Sequence, residues 1–504
     1  MNRIIFLLLF VTSLTFGQNK GHFAAPSAAS YSQVTYSGSK IAWIYVPAAY
    51  NRNSNNYPLI VFFPGYGATD RSGGSFANVN NSGEGLGQYL TSGDQPPGVI
   101  ICIPQNLISG TDYGHAEWDA AITYMAANYR IDANRMYATG LSGGAIASFD
   151  VLQNRTNLAA TVSVSGPSFS TSWSSFQGIG AWFHQGTTDA TFGRTIGGSL
   201  FWATGGSGSA NNFVPAVRST YYYNLGHVSG VWDTQVYNRL ERTDATGTAA
   251  FDFVRWLKKY SLDATQQATL FTENAEYSID IVDYREALEL VNNISSGSPK
   301  TSLLSRLATL KTSVDRSGTR YIVSCNHSGT TVSTTGINDW NATFAATQGL
   351  TNIVDDTGSS STVGFTVTNQ FASSSRDANV DNSNAGRLTA KGFPVNFNLG
   401  GLVLNNAITN GRITINNIPS GKKIDVIIHH YHIAGDDDGS AMSAQSAISA
   451  TMNGITKTQY SAYNNAYYLK FTDVPESSGS ATLDMKTVST RNVVVTGFEI
   501  LIHP

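Results

Sequence analysis

The chemistry this sequence could perform centres on a serine. Ser142 stands in Gly140-Leu141-Ser142-Gly143-Gly144, a G-x-S-x-G spacing that can hold a hydroxyl on a tight turn with no bulky neighbours. A serine hydroxyl is a weak nucleophile. It needs a base to take its proton, and the base needs a further group to fix its ring. Downstream, "AWFHQGTTDATF" delivers Asp189 just after one apolar run, and "YYYNLGHVSGVWD" delivers His227 just after another. Serine, acid and histidine in that chain order define an acyl-transfer arrangement, with Ser142 as nucleophile, His227 as base and Asp189 as the orienting carboxylate. Acyl transfer builds negative charge on a carbonyl oxygen, so backbone N–H donors must face it. Gly143 offers one donor. Tyr66, between Gly65 and Gly67 in "PLIVFFPGYGATD", offers the other.

Each residue also has a plainer reading. The chain has 48 glycines, so the Ser142 motif alone also fits a structural turn. Asp189 could cap a loop, and His227 could be a polar turn residue. Asp233 rivals Asp189 as the acid, but it follows His227 and breaks the expected order. His184 precedes Asp189 and is read as a strand-end residue that organises the acid's loop. Among the nine histidines, only His227 lies both downstream of Asp189 and within the α/β unit described next.

The elements that must position these residues can be read from the apolar pattern. Over residues 38–258, the runs "IAWIYVP", "PLIVFFP", "GVIICIP", "RMYATG", "AATVSVSG", "IGAWFHQG" and "STYYYNL" are nearly continuously apolar, as strands buried on both faces should be. Helical segments separate several of them: "AEWDAAITYMAANY", with Trp118, Ile122, Met125 and Tyr129 on one stripe, then "GAIASFDVLQNR" and "TAAFDFVRWLKKY". Alternating strands and helices imply a largely parallel sheet covered on both faces. The strand "RMYAT" runs into the Ser142 turn and a helix runs out of it, which favours a nucleophile over a plain turn.

Residues 261–316 change texture. "YREALELVNNISSGSPKTSLLSRLATLKTSV" reads as two amphipathic helices around "SSGSP", a helical hairpin linker. Residues 317–504 show no convincing helix and many alternating, turn-bounded segments, among them "GRITINNI", "KIDVIIHHYHI" and "NVVVTGFEILI". They predict an all-β sandwich or jelly roll. Within it, His430 and His432 would share a strand face, and Asp436, Asp437 and Asp438 form an acidic run. Neither matches a diagnostic metal spacing, so no metal is assigned. Trp340, Tyr460, Tyr463, Tyr467 and Tyr468 could stack on sugar rings or simply belong to the sheet.

Composition narrows the function. Charged residues make up 13% of the chain and the net charge is −3, which excludes a strongly basic nucleic-acid or membrane-surface binder. Residues 1–17 read as an export signal: Arg3, an apolar run from Ile4 to Val11, and Thr15-Phe16-Gly17. That run is shorter than the ~20 apolar residues a membrane span needs. A secreted or periplasmic location follows as the expectation. Cys102 and Cys325, far apart in the chain, are expected to remain unpaired thiols.

With these residues in place, the unit over 18–260 resembles the secreted esterases of the α/β-hydrolase superfamily. It is most similar to carbohydrate esterase family one (feruloyl and acetylxylan esterases) and to polyhydroxybutyrate-depolymerase-like proteins. The resemblance rests on the ordered series "PLIVFFPGYG", "IPQN", "YRIDANRMYATGLSGGAIAS", "WFHQGTTDA" and "GHVSGVWD". In that family the matching stretches are a His-Gly turn, a GLSxGG elbow, an FHGxxD acid loop and a GHxxW histidine loop. This chain departs in three places: Pro64 replaces the oxyanion-loop histidine, Gln185 is an extra residue in the acid loop, and the histidine loop is longer before Trp232. The resemblance implies an α/β-hydrolase domain, a helical spacer and a β-sandwich module that resembles, in texture alone, modules of glycan-degrading enzymes. It implies a cofactor-free Ser-His-Asp esterase whose partner is a polysaccharide ester, acetylated or feruloylated. A polyester hydrolase and a non-catalytic glycan-binding protein on a hydrolase fold remain the alternatives. Oligomeric state is not legible.

Overall fold

In the computed structural model, the described residues are 32–38, 40–47, 50–65, 85–86, 98–105, 114–166, 179–186, 189–191, 217–222, 225–237, 253–326, 337–341, 349–369, 402–404, 411–431, 446–461, 467–487 and 493–504. The export-signal reading falls outside them.

Eight strands form the first sheet: β1 (Ser32–Thr35), β2 (Ile41–Tyr45), β3 (Tyr57–Phe63), β4 (Ile100–Gln105), β5 (Ile131–Leu141), β6 (Ala160–Val164), β7 (Gly180–Gly186) and β8 (Val217–Tyr222). They lie in the order β1-β2-β4-β3-β5-β6-β7-β8. β1 and β2 pair antiparallel, as do β2 and β4; every later pairing is parallel. β3 is buried at every position, which is why its sequence is an unbroken apolar run rather than an alternation. On one face, Leu59, Val61 and Phe63 pack against α1 (His115–Asn128) and α2 (Gly143–Asn154), through Trp118, Met125, Ala147 and Val151. On the other, Ile60, Phe62, Tyr137 and Val162 meet Trp232, Val236 and Tyr237, then α3 (Phe253–Lys258).

The expected helical hairpin over 261–316 is corrected in two respects. There are three helices, α4 (Ala264–Ser278), α5 (Ile281–Asn293) and α6 (Ser298–Val314). Nor do they form a spacer, because Ala268, Phe271, Ala287, Val291, Leu303 and Leu307 share a continuous apolar core with the sheet face under α3. α4 leaves a weak trace in the sequence because its buried residues are Ala268, Phe271, Thr272 and Ala275: the spacing is helical, but three of the four side chains are small or polar. Its N-terminus is capped by Asp263, which accepts from the Gln266 N–H at 2.6 Å, and that of α5 by Asp280, which accepts from Val282 at 2.8 Å.

The remainder is two mostly antiparallel sheets facing one another. The first contains β9 (Thr319–Asn326), β10 (Ile337–Asn341), β13 (Leu402–Leu404), β15 (Lys423–Tyr431), β18 (Tyr467–Pro475) and β20 (Val493–His503). The second contains β11 (Gly349–Leu350), β12 (Gly364–Asn369), β14 (Gly411–Asn416), β16 (Ser446–Met452), β17 (Ile455–Ser461) and β19 (Ser480–Thr487). Val426, Ile428, Phe498 and Ile500 from one sheet meet Phe365, Ile413, Leu483 and Met485 from the other in a shared core. The Phe365 and Phe498 rings lie 5.2 Å apart. Cys102 on β4 and Cys325 on β9 are both free and buried. No described helix is long and apolar enough to cross a membrane.

Because side chains alternate along a strand, β15 and β20 have a second face, and the helices cover it. Ile427 joins the core beneath α5, and His429 and Glu499 are both fully buried. Arg285 of α5 grips Glu499 with two bonds of 2.7 and 2.8 Å, Arg320 lies 3.3 Å from it, and the His429 ring lies 2.7 Å away. Lys470 of β18 bonds Asp280 at the start of α5 at 2.9 Å. Burial pushes the Glu499 carboxyl up, but the Arg285 guanidinium and the His429 and Arg285 hydrogen bonds outweigh it and hold it well below the usual range. Its stabilising contribution is therefore complete above its ordinary value of 4.5, and it is lost only as pH falls through the depressed value. Removing one partner of a buried ion pair strands the others. Glu499→Gln should therefore cost about 3 kcal/mol near neutral pH, read by urea denaturation. A loss below about 0.5 kcal/mol, within the range of ordinary surface substitutions, would show that the joint holds nothing together.

Candidate active site

β5 ends at Leu141 and α2 begins at Gly143, so Ser142 carries the whole change of direction. Its φ of 54° and ψ of −118° lie where a side chain is strained, at a cost of order 1–3 kcal/mol. The crowding around it explains the glycines. A Cβ on Gly144 would stand 1.8 Å from the Phe63 carbonyl oxygen at the end of β3, and one on Gly140 would stand 2.3 Å from the Gly144 carbonyl oxygen. The Ser142 N–H is pinned to the Val164 carbonyl of β6 at 3.0 Å. Its own carbonyl accepts from Ala145 at 3.0 Å and Ile146 at 3.3 Å, which starts α2. A serine at a helix N-cap usually turns its hydroxyl onto the helix. Ser142 does not cap α2.

The Ser142 Oγ instead lies 2.8 Å from His227 Nε2. His227 follows β8 and Gly226, and its side chain is 19% exposed. On the far side of the ring, Nδ1 lies 2.9 Å from Asp189 Oδ2. A carboxylate can only accept, so Nδ1 carries the hydrogen and Nε2 is left to accept from the serine. The Asp189 side chain is fully buried. Donors meet both of its oxygens, among them His227 Nδ1 and Gln185 Nε2 (2.7 Å) on Oδ2 and the Thr191 N–H (2.9 Å) on Oδ1. Such donors offset the cost of burying a carboxyl group. The acid and histidine loops meet at Gly186, where a Cβ would stand 2.2 Å from the Leu225 carbonyl oxygen. Trp232 packs edge-on against the His227 ring, with centroids 5.1 Å apart.

Ser142, Asp189 and His227, chosen on chain order, are thus brought into one hydrogen-bonded line. Gly143 opens α2, where an N–H can face a developing oxyanion. Tyr66 lies outside the described residues. Its neighbour Gly65 does reach the elbow, since a Cβ there would stand 3.6 Å from the Ser142 Cβ. Asp233 lies in a helical turn spanning Trp232–Tyr237, and the acid position beside His227 is filled by Asp189. The role expected of His184 falls to the next residue, since it is the Gln185 side chain that bonds the acid. The His184 ring is buried and stacks on Trp182 at 5.4 Å, and burial pushes it down to about 3, so it is neutral near neutral pH.

In the C-terminal sheets, His432, Tyr463 and Asp436–Asp438 lie outside the described residues. So do the side chains of His430, Trp340, Tyr460, Tyr467 and Tyr468, whose backbones lie on β15, β10, β17 and β18. One cluster has metal-ligating chemistry: Asp425, Asp473 and His503 have ligand atoms within 4.8 Å of one another. A cation already serves it, because Arg316 lies 2.6 Å from Asp473 and 3.3 Å from Asp425. The residues fit an ionic clasp to the end of α6 better than a metal site.

The mixed sheet, the strained serine turn and the strand-end acid and histidine define an α/β-hydrolase-like region, here joined to two further, mostly antiparallel sheets. The solved structures similar to this chain include esterases, all at low identity. A thermostable esterase matches at 19% identity and a TM-score of 0.34 over 46% of this chain, which spans 63% of that protein's length. A ferulic acid esterase matches at 14% identity and a TM-score of 0.31, over 42% of this chain and 94% of that one. No family model and no curated protein matches.

The packing at the elbow makes a direct prediction. Gly144→Ala places a methyl group against the backbone of β3, which cannot retreat as a flexible side chain could. It should destabilise the protein by about 3 kcal/mol or more, read by thermal unfolding. Gly421→Ala, at a positive φ with open space around the Cβ, serves as the control and should cost about 1 kcal/mol. Equal small losses at both positions would refute the close approach.

Proposed function

We propose that this protein is a secreted serine esterase that removes acetyl or feruloyl groups from polysaccharides. The observation that carries the reading is the unbroken line Ser142–His227–Asp189, with contacts of 2.8 and 2.9 Å. Ser142 attacks the ester carbonyl while His227 Nε2 takes its proton. Asp189 holds the ring in the tautomer that can do so and stabilises the imidazolium that forms. The Gly143 N–H is assigned as one donor to the oxyanion, and the Tyr66 N–H, outside the described residues, is the second donor that the sequence pattern calls for. His227 returns the proton to the departing sugar oxygen, leaving an acyl-serine. Water, deprotonated by His227, then attacks the acyl carbon; the acyl–Oγ bond breaks, His227 returns the proton to Ser142 and the acid leaves. Every step uses these groups and water. Strained backbone of this kind clusters at functional sites, which supports a reactive serine over a plain turn.

The polysaccharide substrate and export rest on the ordered motif resemblance and on the N-terminal segment. The test is chromatography of the acids released from arabinoxylan bearing both esters, with Ser142→Ala in parallel. Release of acetate or ferulate by the unaltered chain alone is the expected result. His227→Ala should lower kcat roughly ten-thousand-fold or more, because base and nucleophile act as a unit. An organophosphate probe should label Ser142 and fail on Ser142→Ala. A folded protein that is neither labelled nor active would leave a glycan-binding role as the better reading.

A further inference from the structure

Gln185 is the residue by which this chain departs from the acid-loop pattern, and the structure gives it a task. We infer that Gln185 is a positioning residue for the proposed acyl-transfer reaction, holding Asp189 in the one orientation from which it can direct His227. The inference rests on the esterase reading of the site.

The Gln185 Nε2–H donates to Asp189 Oδ2 at 2.7 Å, and His227 Nδ1–H donates to that same oxygen at 2.9 Å. The other oxygen, Oδ1, takes the Thr191 N–H at 2.9 Å. A carboxylate can turn about its terminal bond, and each fixed donor on one of its oxygens resists that rotation. The amide of Gln185 adds a second anchor on the side that faces the histidine. Its own place is fixed by the sheet: Gln185 is buried in β7 and lies opposite Tyr221 of β8, while its neighbour His184 lies opposite Val164 of β6. The acid stands on a loop, and a loop residue is less well placed than a strand residue. The glutamine therefore ties the loop-borne acid to the carboxyl end of β7, an interior strand, across the turn closed by the Asp189 N–H on the Gly186 carbonyl at 3.3 Å.

The test is a double-mutant cycle in the full-length chain, using an ester that the unaltered protein hydrolyses. Gln185→Met keeps the volume and removes the donor. It should lower kcat roughly tenfold and leave KM within about twofold, because it disturbs alignment rather than ester binding. In an Asp189→Ala background the same substitution should change kcat by less than about twofold, since the group it acts through is gone. The His227 Nδ1 proton, read as a downfield resonance by NMR, should shift in Gln185→Met. Should that variant not fold, the Gln185 side-chain amide itself can be followed by NMR. It should exchange slowly in the unaltered protein and rapidly in Asp189→Ala.

Three results would overturn the inference: a kcat unchanged by Gln185→Met, a tenfold loss that persists in the Asp189→Ala background, or a Gln185 amide that exchanges equally fast with and without Asp189. Failure of the esterase reading has a separate signature, namely no labelling of Ser142 and no ester hydrolysed. The two NMR measurements need no substrate and would still decide whether Gln185 holds Asp189.

Discussion

The approach of the β5–α2 turn to the end of β3 is the constraint from which the site follows. At Gly144 the backbone of the new helix passes so close to the Phe63 carbonyl that no side chain fits between them. Two residues earlier the chain changes direction at a single residue, Ser142, which holds the strained conformation. The strain is small against the many buried contacts of the sheet. Eight hydrogen-bonded strands with apolar layers on both faces hold the turn shut. Once Ser142 is raised above the sheet, the histidine needs only to stand at the end of a strand further along the same edge. β8 supplies it, and β7 supplies the acid between them.

The sequence reading was strongest where one physical signal dominated. The strands of the first sheet are buried on both faces, so their continuous apolar runs could be counted directly, and chain order then chose Ser142, Asp189 and His227 from among many serines, aspartates and histidines. It was weakest where contacts are made by small or polar side chains. α4 buries Ala268, Thr272 and Ala275, residues that carry little hydropathy signal at any spacing. Gln185 looked like an extra residue in a motif, because a pattern of residue types cannot show that its amide meets Asp189. His430 and His432 stand out by their spacing, yet the buried histidine is His429, whose partner Glu499 lies far along the chain. Long-range polar pairs leave no periodic trace, so nothing local could have revealed that one.

The same limit explains why residues 261–316 read as a spacer. An amphipathic helix announces that one face is buried, but not against what. Here the answer is divided between two regions. α4, α5 and α6 share the core of the first sheet, while Arg285 and Asp280 of α5 bind Glu499 and Lys470 of the β-rich region. The strands reply with their second face, Ile427, His429 and Glu499, which a half-exposed strand would have given to water. An ion pair buried this completely adds less stability than its distances suggest, because desolvating both charges offsets most of their attraction. What it imposes is register, since a displacement of even one residue along β20 would turn Glu499 toward the sandwich core and leave Arg285 and Arg320 without their carboxylate.

That distinction between stability and placement also separates the two carboxylates on which this molecule most depends. Glu499 is met by guanidinium groups, whose fixed charge compensates its own and leaves it nothing to do beyond fixing two regions together. Asp189 is met by a neutral amide, a backbone N–H and an imidazole. Of those three donors only the imidazole can become charged, so the carboxylate's attraction to it strengthens as His227 takes a proton. An arginine in the place of Gln185 would hold Asp189 as firmly, but it would compete with the imidazolium for the same negative charge and weaken the base that Ser142 needs. An amide holds the acid in place without neutralising it, which is what a carboxylate that acts through a histidine requires.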